Sequence, residues 1–380
     1  MSSVFEHSIA GRIFSIQAGK LAQQANGAVV VHYGDTIVLV TACASPKPRE
    51  DIDFVPLTVD YEERLYAAGK IPGSFIRREG RPSEQAVITS RLIDRALRPL
   101  LPKGFNHDVQ IVATVLSTDQ ENEPAICALI GASAALTISD IPFSGPISAV
   151  CVGYLDGKLV LNPTLPQMSS SMIDLVVAST KQATIMIETE AKEASEELIL
   201  EAIRFGHEAN QEIIKFQEDL QQLYGKPKME IEGKEINSEL STTVSSLLEN
   251  KLGQALEQRE KSEREQAVAA LKEEVEQKLA DSFSPEEVVP AFESQLRAIA
   301  RKKVLQTGQH LDGRQAREIR PISSEIGLLP RTHGSGLFTR GQTQVLSITT
   351  LDSLSKEQLL DGLGIEETKR FMHHYNFPPF

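Results

Sequence analysis

Between Gly11 and about Ile187, short runs of Val, Ile, Leu, Thr and Phe recur with the alternation of half-buried strands. The pattern predicts strands over 12–18, 28–33, 37–44, 55–61, 109–117, 148–154, 158–162, 173–180 and 184–187. Two stretches have helical spacing instead. The first opens at Arg81-Pro82-Ser83-Glu84, with Ser83 a candidate N-cap, and runs to about Leu97, where Pro99 and Pro102 stop it. Its Ile88, Leu92, Ile93 and Leu97 form an apolar stripe, and Arg91, Arg95 and Arg98 share another face. The second follows Asn122-Glu123-Pro124, with proline in the first turn and an Ala/Ile/Leu/Gly composition that marks a buried helix. Strands interleaved with helices give α/β or α+β material. Residues 190–303 change to Glu/Gln/Lys-rich helical sequence broken at Gly225-Lys226-Pro227 and Ser282-Phe283-Ser284-Pro285, and Thr307–Arg314 is a polar linker.

The hydrophobic pattern also repeats. Gly27–Leu39 returns 307 positions later as Gly334–Leu346, and each copy reads as a hairpin around Tyr33-Gly34-Asp35 or Arg340-Gly341-Gln342. Phe54-Val55-Pro56-Leu57-Thr58 follows the first hairpin as Phe371–Tyr375 follows the second, now at an offset of 317, so the second copy holds ten extra residues in between. At residue 380 the second copy has not reached its counterpart of Gly73–Arg81, and whatever chemistry it performs is expected to be missing from these residues. Residues 312–380 contain hairpins without covering helices, which predicts exposed sheet edges and a poor core of their own.

A chain of 380 residues has room for two or three domains. Cys43, Cys127 and Cys151 show no metal or disulfide spacing, which points to small core residues in a reducing cytosol. No apolar run approaches the ~20 residues needed to span a bilayer, so no membrane role is expected. The net charge of −13 is concentrated in residues 188–305, which carry 16 basic and 26 acidic side chains. Residues 70–103 reverse the sign, with eight Lys/Arg against three Asp/Glu. An acidic protein with one basic stripe suggests an anionic ligand met at a defined place.

That stripe holds the strongest candidate chemistry, Phe75-Ile76-Arg77-Arg78-Glu79-Gly80-Arg81, directly ahead of the arginine-bearing helix. Arginines offer planar donors to phosphate oxygens, and Phe75 can stack on a base of any identity, a combination suited to a single-stranded RNA or DNA backbone. The alternative is that Arg77 and Arg78 pair with Glu62, Glu63 and Glu79 while Phe75 is core. Gly131-Ala132-Ser133 faintly resembles a nucleophile elbow, but helix packing explains it better and no catalytic serine is assigned. Asp119, Glu121 and Glu123 could crowd a metal, yet Asn122-Glu123-Pro124 accounts for them as a helix start. His373 and His374 are expected in a strand, where neighbours point to opposite faces, so joint metal ligation is not expected.

Together these residues closely resemble the polynucleotide phosphorylases. The likeness is carried by Gly34-Asp35-Thr36, Tyr61–Arg64, Ala68–Phe75, Arg77–Glu84, Asp94–Leu100, Leu311–Arg314 and Glu366–His374. It implies an α+β fold of RNase PH-like cores, each a β/α sandwich like domain 2 of ribosomal protein S5. The implied division is a first core at 1–188, an all-helical domain at 189–305 and the start of a second core at 306–380. The implied activity is processive 3′-to-5′ phosphorolysis of single-stranded RNA by inorganic phosphate, releasing nucleoside diphosphates and reversible as polymerisation. Mg²⁺, a homotrimeric ring, RNA-degradosome proteins as partners and a cytoplasmic location are implied with it. Phe75, Arg77, Arg78, Arg81 and Arg91 are the implied RNA-binding residues, although Ile76 stands where the family loop has a second aromatic. Catalytic and metal-binding residues are expected beyond residue 380. The first core has Asp174-Leu175-Val176 where an active copy would have Asp-x-Lys, so it is expected to handle RNA rather than cleave it. The alternatives are a noncatalytic RNA-binding or ring-assembly module and, resting on the acidic helices, a protein-interaction scaffold.

Overall fold

The computed structural model describes residues 3–49, 52, 54–73, 75–231, 238–248, 251–364 and 367–378. They fall into two compact units, one of residues 1–233 with 357–380 and the other of residues 234–356.

The first unit is built on two sheets with a buried helix between them. The larger sheet comprises β1 (Ser3–Ile9), β2 (Arg12–Ala18), β3 (Gly27–Tyr33), β4 (Thr36–Pro48), β5 (Leu57–Glu63) and β6 (His107–Ser117), in the order β1-β2-β3-β4-β6-β5. All its pairs are antiparallel except β5 with β6. Each predicted strand in this region forms; β1 was not predicted. Helix α1 (Glu84–Leu97) packs on β5. Its Ser83 cap accepts the Ala86 amide at 3.0 Å, as expected. Helix α2 (Pro124–Ile138) is buried at all of its residues, because its small side chains let sheets approach on two sides. It lies on β3, β4 and β6 across one face.

The smaller sheet, in the order β10-β9-β7-β8, comprises β7 (Ser148–Leu155), β8 (Lys158–Leu161), β9 (Ile173–Ser179) and β10 (Thr184–Ala191), with the short α3 (Leu165–Met168) between β8 and β9. Helix α4 (Glu196–Tyr224) packs on β7 and β9 and touches α2. Its buried face carries Ala202, Gly206, Asn210, Ile213, Gln217 and Leu220. Asn210 donates to the Val177 carbonyl at 2.9 Å and Gln217 to that of Ile147 at 2.8 Å, so two buried amides fix the helix to the sheet. The division at 188/189 therefore differs from what the structure holds together: α4 is part of the first core, since its buried face packs on β7, β9 and α2.

The second unit contains α5 (Ser238–Leu248), α6 (Lys251–Ala255), α7 (Lys261–Leu279) and α8 (Pro285–Thr307) around a separate core with Leu240, Val244, Leu252 and Phe292. A sheet of β11 (Ile322–Ile326), β12 (Gly334–Arg340) and β13 (Thr343–Thr349) follows. β11 and β13 are exposed along their whole lengths, matching the expectation of uncovered strands. The repeat is visible in the turns. Tyr33 pairs with Thr36 and Arg340 with Thr343, leaving two-residue turns in which Gly34 and Gly341 both take positive φ, 60° and 61°. A final pair, β14 (Gln358–Leu360) with β15 (Glu367–Lys369), belongs to the first unit. Residues 370–378 form no strand, which corrects the expectation for His373 and His374: aromatic and β-prone residues there have no neighbouring strand with which to pair. Among the described residues no helix is long and apolar enough to cross a membrane.

Candidate nucleic-acid interface

The segment joining β5 to α1 opens with a single 3₁₀ turn, Leu65–Ala68, closed by Gly69 in the left-handed region. The described residues from there to Ser83 form no helix or strand, and residues 75–81 are exposed throughout. Phe75 is 101% exposed, so the alternative that it is a core residue is overturned. Glu62, Glu63 and Glu79 each have a contact of their own. Glu62 pairs with Arg64, Glu63 accepts the Ser83 hydroxyl at 2.6 Å, and Glu79 accepts the Leu65 amide at 3.3 Å. Arg77 takes positive φ, 52°, and its guanidinium reaches the Pro72 carbonyl at 3.5 Å. Ser74 and Glu366, from the motifs quoted above, lie outside the described residues.

The basic stripe divides into two chemical groups. Arg98 grips Asp94 through two nitrogens, at 3.1 and 2.7 Å, and donates to the carbonyls of Val55 and Leu57. Arg95 pairs with Glu188. Both serve the fold by pinning α1 to its surroundings, a use that arginine spacing alone could not separate from ligand binding. Arg77, Arg78, Arg81 and Arg91 are exposed, the first three on the loop and Arg91 on α1. Exposed guanidinium groups beside a fully exposed phenyl ring are what a flexible polyanion with stackable bases would engage.

Asp174 lies elsewhere, on β9, at a cavity of about 160 Å³ whose lining includes Arg12, Tyr33, Asn122, Glu123, Cys151 and Val176. Arg12 is held by Asn122 and the Asn162 carbonyl and lies over the Tyr33 ring at 4.6 Å. Only Asp174 and Val176 are tied to this place by sequence; Glu123 reads there as a helix start, and Arg12 and Tyr33 sit on separate strands with no motif between them. Burial raises the Glu123 carboxyl pKa against the hydrogen bond from the Ala125 amide. Burial likewise raises Asp174, opposed by the Cys151 thiol and assisted by Glu190 on the neighbouring strand. Val176 adds no ligand atom to this cavity, and no step is assigned to Mg²⁺ here. Among the described residues no group of three or more His, Cys, Asp or Glu is placed to hold a metal.

Asp119 and Ser133 have structural roles. The Asp119 carboxylate accepts from the amides of Asp35, Glu121 and Asn122 and from the Thr36 hydroxyl, forming the turn that starts α2. Ser133 accepts the Ile147 amide at 2.9 Å inside the helix pack, so the elbow reading has no support.

Three family descriptions match segments of the chain. Domain 1 of the 3′ exoribonuclease family matches residues 10–142 and again 318–380, which reproduces the internal repeat. Domain 2 of that family matches 145–209, and the RNA binding domain of polyribonucleotide nucleotidyltransferase matches 239–315. Proteins named polyribonucleotide nucleotidyltransferase from Heliobacterium modesticaldum and Anoxybacillus flavithermus are each 54% identical over 99% of this chain. One from Roseiflexus sp. is 53% identical over 98%. The chain spans about half the length of these relatives, 54%, 54% and 51%. A solved structure of rice Rrp46 aligns at 18% identity with a TM-score of 0.44, covering 58% of this chain and 94% of that one.

Proposed function

The chain belongs to the 3′ exoribonuclease family, and from that premise we propose that it carries the RNA-handling first core of a polyribonucleotide nucleotidyltransferase, with the exposed loop 75–81 gripping single-stranded RNA. The observation that carries this reading is the full exposure of Phe75 among Arg77, Arg78 and Arg81. In the whole protein, the reaction is attack of inorganic phosphate on the 3′-terminal phosphodiester, expelling the shortened RNA and releasing a nucleoside diphosphate. The Asp174 pocket is not the place for that step. A transition state rich in negative charge needs fixed positive donors; Val176 supplies none, and Arg12 at this cavity is already committed to Asn122, the Asn162 carbonyl and the Tyr33 ring. In this reading phosphate and Mg²⁺ act away from the Asp174 pocket. A trimeric ring, association with RNA-degradosome proteins and a cytoplasmic location go with the same reading, as does a helical RNA-binding domain over about 238–307.

The test is to replace Arg77 and Arg78 together by alanine and measure binding of a poly(A) oligomer at several salt concentrations. Two lost phosphate contacts should lower the slope of log affinity against log salt by about 1.4, at ~0.7 each for single strands. Unchanged affinity and slope would remove the loop from RNA binding and leave the ring-assembly module as the better reading.

A further inference from the structure

The arginine loop is tied at both ends by one remote hairpin. At its entry, Lys70 donates to the carbonyls of Gly362 and Gly364, at 3.1 and 3.3 Å, with the Asp361 carboxylate 3.7 Å away. At its exit, Lys369 on β15 places its ammonium 2.7 Å from the carboxylate of Glu84, the first residue of α1. Between these ties Leu363 enters the apolar core of the first unit, only 6% exposed, and Gln120 donates to its carbonyl at 3.0 Å. Every one of these residues lies within the same compact unit. The anchor is unusual for its setting, because Leu363 is buried whereas Leu359 is 64% exposed and Phe371 76% exposed. The hairpin also falls where the second copy of the repeat holds its ten extra residues, between Leu346 and Phe371. The first copy thus has nothing equivalent to offer.

Loop ends held in place restrict the conformations that a polyanion would otherwise have to order on binding, and less ordering cost means tighter binding. We propose that the β14–β15 hairpin is a brace that positions the arginine loop for single-stranded RNA, with Lys70, Leu363 and Lys369 as its positioning residues. The RNA part of this inference rests on the function proposed above.

The experiment uses the full chain with Glu84→Lys, Lys369→Glu and the double exchange, reading amide hydrogen exchange over residues 75–83 together with poly(A) affinity. Simple charge would make Glu84→Lys bind RNA more tightly and Lys369→Glu more weakly. A brace makes both single variants exchange faster in the loop and bind more weakly, by roughly two- to fivefold, the range of an exposed ion pair, and the double exchange restores both. Leu363→Ser should give the same two changes while the exchange of β3 and β4 amides stays slow. Unchanged loop exchange in both single variants, or affinities that follow charge alone, would overturn the brace. The exchange readout needs no RNA, so it separates failure of the brace from failure of RNA gripping, which the Arg77/Arg78 variant reports.

Discussion

The Asp119 carboxylate accepts the Thr36 hydroxyl at 3.0 Å, joining the turn before α2 to the first residue of β4. It also accepts the Asp35 amide, 3.1 Å away, within the two-residue turn that the second copy repeats. One carboxylate therefore fixes the hairpin to the helix start.

Asp119→Asn should destabilise the protein by about 1–2 kcal/mol at neutral pH, a value reduced for the partial exposure of the site. Burial works against its ionisation, but hydrogen bonds from Asn122, Glu121 and Thr36 outweigh it and hold the pKa below the ordinary 3.8. A depressed pKa means that the stabilisation is complete above about 3.8 and is lost as pH falls through the folded value. Urea unfolding should thus show the largest gap between wild type and variant at neutral pH, closing on acidification. A gap independent of pH would deny the carboxylate this role.

Phe75→Ala should weaken poly(A) binding by roughly 1–3 kcal/mol if the ring stacks on a base. Because the ring is fully exposed, the melting temperature should not move. A fall in melting temperature would mean that the ring packs on protein in solution.

Burial pushes the thiols of Cys127 and Cys151 far up, with Glu123 and Asp174 respectively adding to the effect. The reactive species is the thiolate, so a raised pKa suppresses labelling at pH 8. Only Cys43, which is half-buried, should react with a thiol reagent in the folded protein, and all three should react after unfolding. Rapid native labelling of a second cysteine would show that the α2 or β7 packing opens readily.

The purified chain should release no ADP from short poly(A) with phosphate and Mg²⁺. The pocket around Asp174 has Val176 where a cation is needed and an Arg12 already committed to Asn122 and the Asn162 carbonyl, and each absent donor costs about 100-fold or more in rate. Steady ADP release that Asp174→Asn abolishes would place a working site in the first core.

Local signals made much of this fold legible. Alternation located β2 to β10, the Ser83 cap marked the start of α1, and Gly34 and Gly341 marked matching turns. Three features escaped for physical reasons. β1 is a half-exposed edge strand with weak alternation. The helix α4 looks amphipathic and charged, so only its contacts with β7 and β9 reveal which core it joins. Leu363 sits among glycines in a polar stretch, and its partner Gln120 is 243 positions away. For the candidate interface, sequence located the loop but not its use of arginine: Arg95 and Arg98 carry the same charge as Arg91, yet tertiary partners consume them. The repeat aligns His373 and His374 with a strand of the first copy, but no neighbouring strand among the described residues completes it.

Helix α2 is wrapped from both sides, by β3, β4 and β6 on one and by α4 and β7 on the other. During synthesis its first cover is complete before the helix emerges, but Ile213 and Leu220 of α4 follow about eighty residues later. At ~5–20 residues per second the part of the outer face that α4 covers waits about 4–16 s on the ribosome, most of it after β7 has been made. That interval is a window for chaperone engagement, and slowing translation between codons 138 and 220 should raise the fraction of nascent chains captured.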